Sequence, residues 1–343
     1  PEMSSRNNSL GSSISRAYAV EKPDEKIKTA MFDFFTSANK HENELLVKLL
    51  LLKCVPDNEK VSLVALQLLG ICISNLKNPG DVMKLLIVRS SADYVLSMRV
   101  QACKLLGKLH VFESARDPVV KVLLVRLTDK SPHIRQAACE AAQCFLSDTQ
   151  SYNSLIDKIL VACKDDKVNV RIAACNALET VQNASGAVWS TLYTLCGDSH
   201  SNVRISACNV LAKCKKEKNS RDIFRLLLVL AVSNVIPVER AARAALLEIA
   251  TRFATSESFS KILQVDATHV DPRAREIVAR LLKNCQRTTV YLSLLERTMD
   301  ASPEVRSAAL ESLKEFTLDN SRVDILFEKC ADSNPLLRYA VCL

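Results

Sequence analysis

The sequence predicts an all-α protein built from about nine stacked two-helix repeats. Glycine is scarce, with only 6 in 343 residues, a short Asp-to-Arg motif recurs at steps of 31 to 36 residues, and prolines stand at a fixed distance before several of the arginines. A period of this length is typical of solenoids, in which each repeat packs only against its neighbours. The scarcity of glycine also excludes the common glycine-rich loops that bind nucleotide phosphates.

Each copy of the motif has an Asp or a similar turn residue, an Arg six residues later, and small residues three and four positions after the Arg. The clearest copies are Asp129 with Arg135, Asp165 with Arg171, and Asp198 with Arg204. The same frame extends to Asp93 with Arg99, Asn234 with Arg240, His269 with Arg275, Asp300 with Arg306, and Asp332 with Arg338. A degenerate copy around Ser62 precedes them, which gives about nine repeats in all.

Proline marks the start of the second helix in each of five repeats. It stands three residues before the Arg, at Pro132, Pro237, Pro272, Pro303 and Pro335. Ser, Asp or Asn precedes four of these prolines, and such residues cap helices well, while Pro at the first helical position loses no hydrogen bond. The Arg, the small residues and an apolar residue seven positions later then form one face of an amphipathic helix.

A further apolar segment lies upstream of the turn residue and predicts the first helix of each repeat. The clearest of these segments cover residues 119–127, 154–163, 223–232, 291–299 and 323–330. Two helices in each period of about 34 residues stack into an α-solenoid.

The motif, with Val or Ile before the Arg and Ala after it, resembles the HEAT repeat from about residue 41 to the end of the chain. The resemblance implies a right-handed α–α superhelix of the HEAT or armadillo-like type. We expect the array to fill residues 26–343 and to continue beyond the C-terminal end of this sequence. Residues 1–25 are rich in Ser and Asn and lack periodicity, so they predict a disordered N-terminal tail.

The resemblance further implies that the turn Asp and the second-helix Arg form a structural ladder between neighbouring repeats. An Asp before a helix N-terminus accepts amide hydrogen bonds, and an Arg can hold a carboxylate at two points. The ladder is expected to fix repeat geometry and to have no catalytic role. Its predicted members are Asp93, Arg99, Asp129, Arg135, Asp165, Arg171, Asp198, Arg204, Arg240, Arg275, Asp300, Arg306, Asp332 and Arg338.

Twelve of the 13 cysteines fall in three repeated positions, which predicts a structural role for them. Counted from the Arg, they lie at +4 (Cys103, Cys139, Cys175, Cys208, Cys342), at −8 (Cys54, Cys163, Cys196, Cys330) and at +10 (Cys72, Cys214, Cys285). Stacked helices lie about 8 to 10 Å apart, beyond the reach of a disulfide, so we expect reduced core thiols and no metal. No cofactor or catalytic residue is predicted. Some HEAT-like proteins are enzymes, but the hydroxylase type needs repeated His-Glu pairs, which this sequence lacks.

The second helices are expected to line a concave face that binds a partner. The candidate residues on this face are Lys104, Lys108, Glu140, Gln143, Asn176, Glu179, Asn209, Lys213, Glu248, Arg280, Lys283, Glu311 and Lys314. Their charges are mixed, whereas a nucleic-acid groove needs a basic stripe, so a protein ligand is favoured.

The favoured function is a non-enzymatic scaffold or adaptor that holds a protein partner as part of a larger complex. Two alternatives stay open. One is a structural component of a large cytoskeletal or axonemal assembly. The other, a nucleic-acid or chromatin-associated subunit, depends on the net charge of +8 and on the basic segment from Lys213 to Lys218. Without a signal peptide or a long apolar run, we expect an intracellular, cytoplasmic protein that binds no membrane, with cytoskeletal, ciliary and nuclear sites left open.

Overall fold

A computed structural model of the chain describes residues 40–54, 59–73, 76–146, 153–181, 186–213, 220–317 and 319–341. Within these ranges every regular element is a helix, so the predicted all-α class is confirmed. The predicted tail at 1–25, the predicted start of the array at 26–39 and the basic residues 214–218 lie outside the described residues.

The chain divides into two compact units, Pro1–Val188 and Trp189–Leu343, and the division falls inside helix α9. The first unit contains α1 Lys40–Lys53, α2 Glu59–Cys72, α3 Gly80–Arg89, α4 Leu96–Lys108, α5 Glu113–Arg126, α6 Pro132–Ala142, α7 Asn153–Ala162 and α8 Val168–Ala177. Then follow α9 Gly186–Cys196, α10 Ser201–Ala212, α11 Ser220–Ala231, α12 Ile236–Arg252, α13 Glu257–Asp266, α14 Pro272–Leu282, α15 Thr288–Arg297, α16 Pro303–Leu313, α17 Asn320–Cys330 and α18 Pro335–Val341. Odd-numbered helices are the first helices of the repeats, and even-numbered helices are the second.

At most second helices, the turn Asp accepts the side-chain hydrogen bond that precedes the helix, whereas the residue before Pro does not. Asp129 accepts a 2.9 Å hydrogen bond from the amide of Ser131, and Asp300 accepts one of 2.9 Å from the amide of Ser302. The two serine side chains, which the sequence suggests as caps, accept no such bond. Asp271 does cap its helix, through the amide of Arg273 at 2.8 Å.

Proline does not set the start of α5. This helix begins at Glu113, six residues before the predicted start, and runs through Pro118. Pro118 lies in the second turn, where the missing amide removes only one hydrogen bond near the helix start.

The small residues of the motif allow the second helices to pack closely. Ala138, Cys139, Ala174 and Cys175 have no exposed surface, and Cys103 and Cys208 are equally buried at the same position of their repeats. Gly107 marks a close approach of two helix backbones, since a Cβ there would lie 2.9 Å from the Cα of Ala141 on the next second helix. Cysteine thus fills a core position where alanine also fits.

The structure corrects the repeat frame in α12. Arg240 and Ala244 are exposed, although the sequence aligns them with the half-buried Arg275 and the buried Ala279. The buried residues of α12 match those of the other second helices when the count starts from Glu239; they are Val238, Ala242, Ala245, Leu246, Ile249 and Ala250. The spacing from Pro237 suggests the wrong register because α12 begins one residue before this proline, at Ile236.

Candidate partner-binding face

In the first unit, Arg135 of α6 connects its own turn with the turn of the next repeat. Its Nε and Nη2 donate to the two carboxylate oxygens of Asp165 at 2.6 and 2.8 Å. Its Nη1 donates to the backbone oxygens of Asp129 and Lys130 at 3.0 and 3.2 Å. One guanidinium therefore fixes the geometry of two successive turns.

The second unit repeats this arrangement at Arg275 of α14. Its Nε and Nη2 each lie 2.8 Å from an oxygen of Asp300, and its Nη1 bonds the backbone oxygen of His269 at 2.8 Å. In six repeats, the Arg Nη1 donates to the backbone oxygens six and five residues earlier in its own turn. These arginines are Arg135, Arg171, Arg204, Arg275, Arg306 and Arg338.

The hydrogen bonds from Arg275 hold the pKa of the Asp300 carboxyl below its usual range, and burial opposes this shift in part. The same bonds raise the pKa of Arg275, while burial lowers it. Both groups are therefore charged near neutral pH and neither is a proton-transfer group. The pair is suited to a structural role.

In the described part of the chain, six predicted ladder residues lack the expected contact across the interface: Asp93, Arg204, Arg240, Arg306, Asp332 and Arg338. Arg204 and Arg338 bond only carbonyl oxygens of their own turns. Arg99 bonds Asp129 of the next repeat, but the exposed Asp93 makes no ion pair. Arg306 bonds only its own turn, and Asp332 lies 3.7 Å from Lys329. The exposed Arg240 also makes no ion pair, because the frame of α12 is displaced by one residue.

Arg243 replaces Arg240 as the link between α12 and α14. Its Nε lies 3.0 Å from Glu239 and its Nη1 lies 3.1 Å from Glu276. The frame counted from Arg240 does not identify Arg243, because it places this residue at +3, where the other repeats have Ala or Val. In the frame counted from Glu239, Arg243 takes the +4 position that cysteine occupies in other repeats. The sequence does contain a sign of this contact, because Glu239 and Arg243 are four residues apart and therefore lie on one face of a helix.

The second helices of the first unit place the predicted residues in a shallow polar row. Lys104 of α4 lies 2.9 Å from Glu140 of α6, and Lys108 donates to the backbone oxygen of Gly70 at 2.6 Å. A groove of about 150 Å³ between α6 and α8 is lined by Gln136, Glu140, Gln143, Asn169, Ile172, Ala173 and Asn176. Glu179, in the short helix after α8, is half-buried and lies outside the groove lining.

The second unit has two larger grooves that share Arg243 and Arg280. One, of about 580 Å³, crosses α12, α14 and α16 and is lined by Arg243, Leu247, Ile277, Arg280, Leu281, Lys283, Glu311, Ser312, Lys314 and Glu315. The other, of about 590 Å³, is lined by Arg243, Pro272, Arg273, Glu276, Arg280, Ser302, Pro303, Glu304 and Ser307. Four predicted face residues, Arg280, Lys283, Glu311 and Lys314, thus meet in one groove. The aliphatic floor of this groove, at Leu247, Ile277 and Leu281, does not follow from the repeat motif.

Ion pairs between successive second helices neutralise much of the charge in these grooves. Arg280 bonds Glu276 of its own helix and lies 2.6 Å from Glu311 of α16. Lys283 lies 4.0 Å from Glu315, whereas Lys314 is exposed and has no ion-pair partner among the described residues. The surface therefore presents polar groups of both signs over an apolar floor.

The remaining predicted face residues lie outside the grooves. Asn209 and Lys213 are exposed on and just after α10, and Glu248 pairs with Arg252 of its own helix at 2.6 Å. Glu248 is a candidate only in the frame counted from Arg240, which the structure displaces by one residue in α12. The position equivalent to the other candidates is Leu247, which lines the groove of about 580 Å³.

The described residues offer no group of three His, Cys, Asp or Glu side chains arranged to hold a metal ion. Burial raises the pKa of Cys103 to about 12 and that of Cys54 to about 11, which disfavours the reactive thiolate form. Across the described ranges, no helix has both the length and the apolar character needed to cross a membrane.

Comparisons with known proteins connect this geometry to a repeat class. A family model described as "Sister chromatid cohesion protein PDS5 protein" matches residues 57–221, just under half of the chain. No curated protein sequence gives a significant match. The solved structure of Kap121p bound to Nup53p matches with a TM-score of 0.61 and 15% identity over 100% of this chain and 40% of that one.

A Kap95p structure described with RanGDP matches with a TM-score of 0.57 and 14% identity, over 96% of this chain and 48% of that one. The chain thus spans less than half the length of each of these two solved structures. At such low identity the likeness concerns the fold alone. The recurring motif, the paired helices and these matches identify the chain as a member of the HEAT-repeat class of α-solenoids.

Proposed function

We propose that the protein is a non-enzymatic scaffold that holds a segment of a partner protein along its second-helix face, as a subunit of a larger complex. The observation that carries this proposal is the pair of adjoining grooves across α12, α14 and α16. They join an aliphatic floor at Leu247, Ile277 and Leu281 to charges of both signs. Such a combination suits a peptide that buries apolar side chains and exchanges ion pairs at the rim.

Helix packing within each unit supports the choice of this face. Second helices pack against one another more extensively than first helices do, as in the pairs α4 with α6 and α14 with α16. A stack whose second helices approach more closely curves toward them, which makes that side the concave one. Solved structures with a similar fold include Kap121p bound to Nup53p and to the extreme C-terminus of Cdc14p.

Charge reversal in the groove of about 580 Å³, which contains Lys283 and Lys314, tests this function. We would compare Lys283→Glu with Lys314→Glu in one double variant against Lys130→Glu with Arg221→Glu, two exposed cations outside the grooves. Partners captured from an extract would be quantified by mass spectrometry. The groove variant should lose partners that the control variant retains. Equal recovery of the same partners by both variants would show that the assigned face is wrong.

A second candidate function is that of a chromatin-associated subunit, which the match to the cohesion family model favours. The net charge of +8 is compatible with it. Binding of a labelled DNA duplex, measured over a range of salt concentrations, separates the two candidates. Direct phosphate contacts would give a steep fall in affinity with salt. A flat salt response or no binding would leave only an indirect, protein-mediated link to chromatin.

A further inference from the structure

Exposed aliphatic side chains recur at one position of the first helices in the first unit. Leu52, Val88, Val125 and Val161 are 69%, 51%, 59% and 64% exposed, respectively. Each lies ten or eleven residues before the ladder position of its own repeat, so these four side chains occupy equivalent places on α1, α3, α5 and α7. They form an aliphatic row on the first-helix face of this unit.

A lysine precedes each member of the aliphatic row by one helical turn. Lys48, Lys84 and Lys121 stand four residues before their aliphatic partners, and Lys158 stands three residues before its own. Residues at these spacings lie side by side on a helix surface. All four lysines are exposed, and none has an ion-pair partner among the described residues. A basic row therefore accompanies the aliphatic row through four successive repeats.

Single exposed valines are ordinary on protein surfaces, but their repetition here is not explained by folding. Valine forms helices less readily than Ala, Glu or Lys, so an exposed helix position gains nothing from it. The second unit has the same pattern at Arg225 with Val229 and at Lys261 with Val265.

In the second unit, however, acidic side chains of the chain itself already pair with the cations. Arg225 lies 3.4 Å from Asp266, and Lys261 lies 2.7 Å from Glu257. In the first unit, no described acidic side chain pairs with the corresponding lysines, so they can meet acidic groups of another molecule.

We propose that the first-helix face of the first unit binds an acidic amphipathic helix of a partner protein, a site distinct from the grooves of the proposed function. Packed helices lie about 8 to 10 Å apart. A helix laid across them advances about 10 Å in seven residues, which is one heptad for each repeat. An apolar residue in every heptad would meet the aliphatic row, and neighbouring Glu or Asp residues would meet the basic row.

Acidic side chains of the same helices limit where the acidic edge of this partner lies. Asp81 and Asp117 are exposed near the N-terminal ends of α3 and α5, about two turns from Val88 and Val125. Asp157 adjoins Lys158 on α7. Repulsion from these carboxylates keeps an acidic partner on the C-terminal side of the helices, above the aliphatic and basic rows.

Two other anionic partners fit this surface less well. A nucleic acid would gain nothing from the aliphatic row, and one lysine per repeat supplies few phosphate contacts. An anionic membrane calls for large side chains that reach several ångströms into the lipid, whereas three of the four aliphatic residues are valines. A protein helix matches both rows and their spacing.

A designed peptide tests the proposal directly. The probe is a fluorescein-labelled helix of about four heptads with Leu at every seventh residue, Glu beside it and Ala elsewhere. Fluorescence anisotropy would measure its binding to the full chain at low and physiological salt. The quadruple variant Lys48→Glu, Lys84→Glu, Lys121→Glu and Lys158→Glu should bind at least about tenfold more weakly. The triple variant Val88→Asn, Val125→Asn and Val161→Asn should weaken binding to a similar extent.

Matched controls separate this site from the grooves and from folding defects. The groove variant Lys283→Glu with Lys314→Glu should bind the peptide like the unmodified chain, so a failure of the proposed function leaves this test intact. Circular dichroism checks that the exposed substitutions keep the helices. The proposal is overturned if the peptide does not bind, or if a peptide with Lys in place of Glu binds equally well. It is also overturned if phosphatidylserine vesicles or duplex DNA, rather than the peptide, need the four lysines.

Discussion

Arg275 and Asp300 are joined across the interface between two repeats by two parallel hydrogen bonds of 2.8 Å. Only 5% of the Asp300 side chain is exposed, and the same carboxylate also accepts the amide of Ser302 at 2.9 Å. One side chain thus receives bonds from the preceding repeat and from its own turn. This double function explains why the motif needs Asp, whose short side chain reaches its own turn, together with the planar fork of Arg.

Removal of this Arg should destabilise the second unit. Arg275→Ala leaves the nearly buried Asp300 without its main partner and frees two backbone oxygens, so we expect a loss of about 1 to 3 kcal/mol in the free energy of unfolding. Arg240→Ala is the matched control. Arg240 is exposed and has no ion-pair partner among the described residues, so this variant should change stability by less than about 0.5 kcal/mol. Urea unfolding followed by circular dichroism measures both. Equal midpoints for the two variants would contradict a stabilising role for the ladder.

The lowered pKa of Asp300 makes this contribution dependent on pH. A carboxyl whose pKa is lower in the folded state stabilises the fold above its unfolded-state pKa, which is about 3.9 for Asp, and stops doing so as the pH falls through the folded-state value. Asp300→Asn should therefore be less stable than the unmodified chain at pH 7. The difference should shrink progressively below about pH 4. Unfolding midpoints measured from pH 7 down to acid would show the convergence, and a constant difference would contradict it.

The displaced frame of α12 predicts that one substitution has a large effect on stability at Ala279 and a small one at Ala244, two positions that the sequence aligns. Ala279 is fully buried, so Ala279→Leu inserts a side chain into a packed core and should cost about 1 to 3 kcal/mol. Ala244 is exposed, and Ala244→Leu should change stability by less than about 0.5 kcal/mol. Thermal unfolding of both variants decides the register. A similar loss at Ala244 would support the frame counted from Arg240.

The repeated motif predicted the all-α class and the two-helix repeat because the Asp, the Arg and the small residues each meet a local requirement of every repeat. It did not predict the register of α12. There Pro237 stands three residues before Arg240, as in other repeats, but Glu239 occupies the ladder position. Grooves depend on which side chains of separate helices converge, so single positions such as Lys283 were found but the floor at Ile277 was not. A repeat motif predicts which positions recur along the chain, but it does not predict which side chains from different helices meet in a groove.

The cysteines should differ widely in reactivity. Burial raises the pKa of Cys103 and of Cys72 to about 12, whereas Cys330 is exposed at the end of α17. Iodoacetamide at neutral pH should therefore modify Cys330 well before these two thiols, as followed by mass spectrometry of peptides over time. The denatured chain, in which all thiols react, is the control. Rapid labelling of Cys103 in the folded chain would show that its repeat opens or that the core position is wrongly assigned.

Gly107 should tolerate no side chain, because the atoms that an added Cβ would meet belong to the backbone of the next second helix. A Cβ at this position would lie 2.9 Å from the Cα and 3.2 Å from the carbonyl oxygen of Ala141, so Gly107→Ala must push α4 away from α6. Helix propensity alone would favour Ala by about 1 kcal/mol, which makes a net loss of stability diagnostic of the close contact. Gly186→Ala is the control, because nothing lies within 4 Å of the added atom, and it should be neutral or stabilising. Thermal unfolding compares the two variants. If Gly107→Ala raised the unfolding temperature as Gly186→Ala does, α4 and α6 would have to lie farther apart than the structure places them.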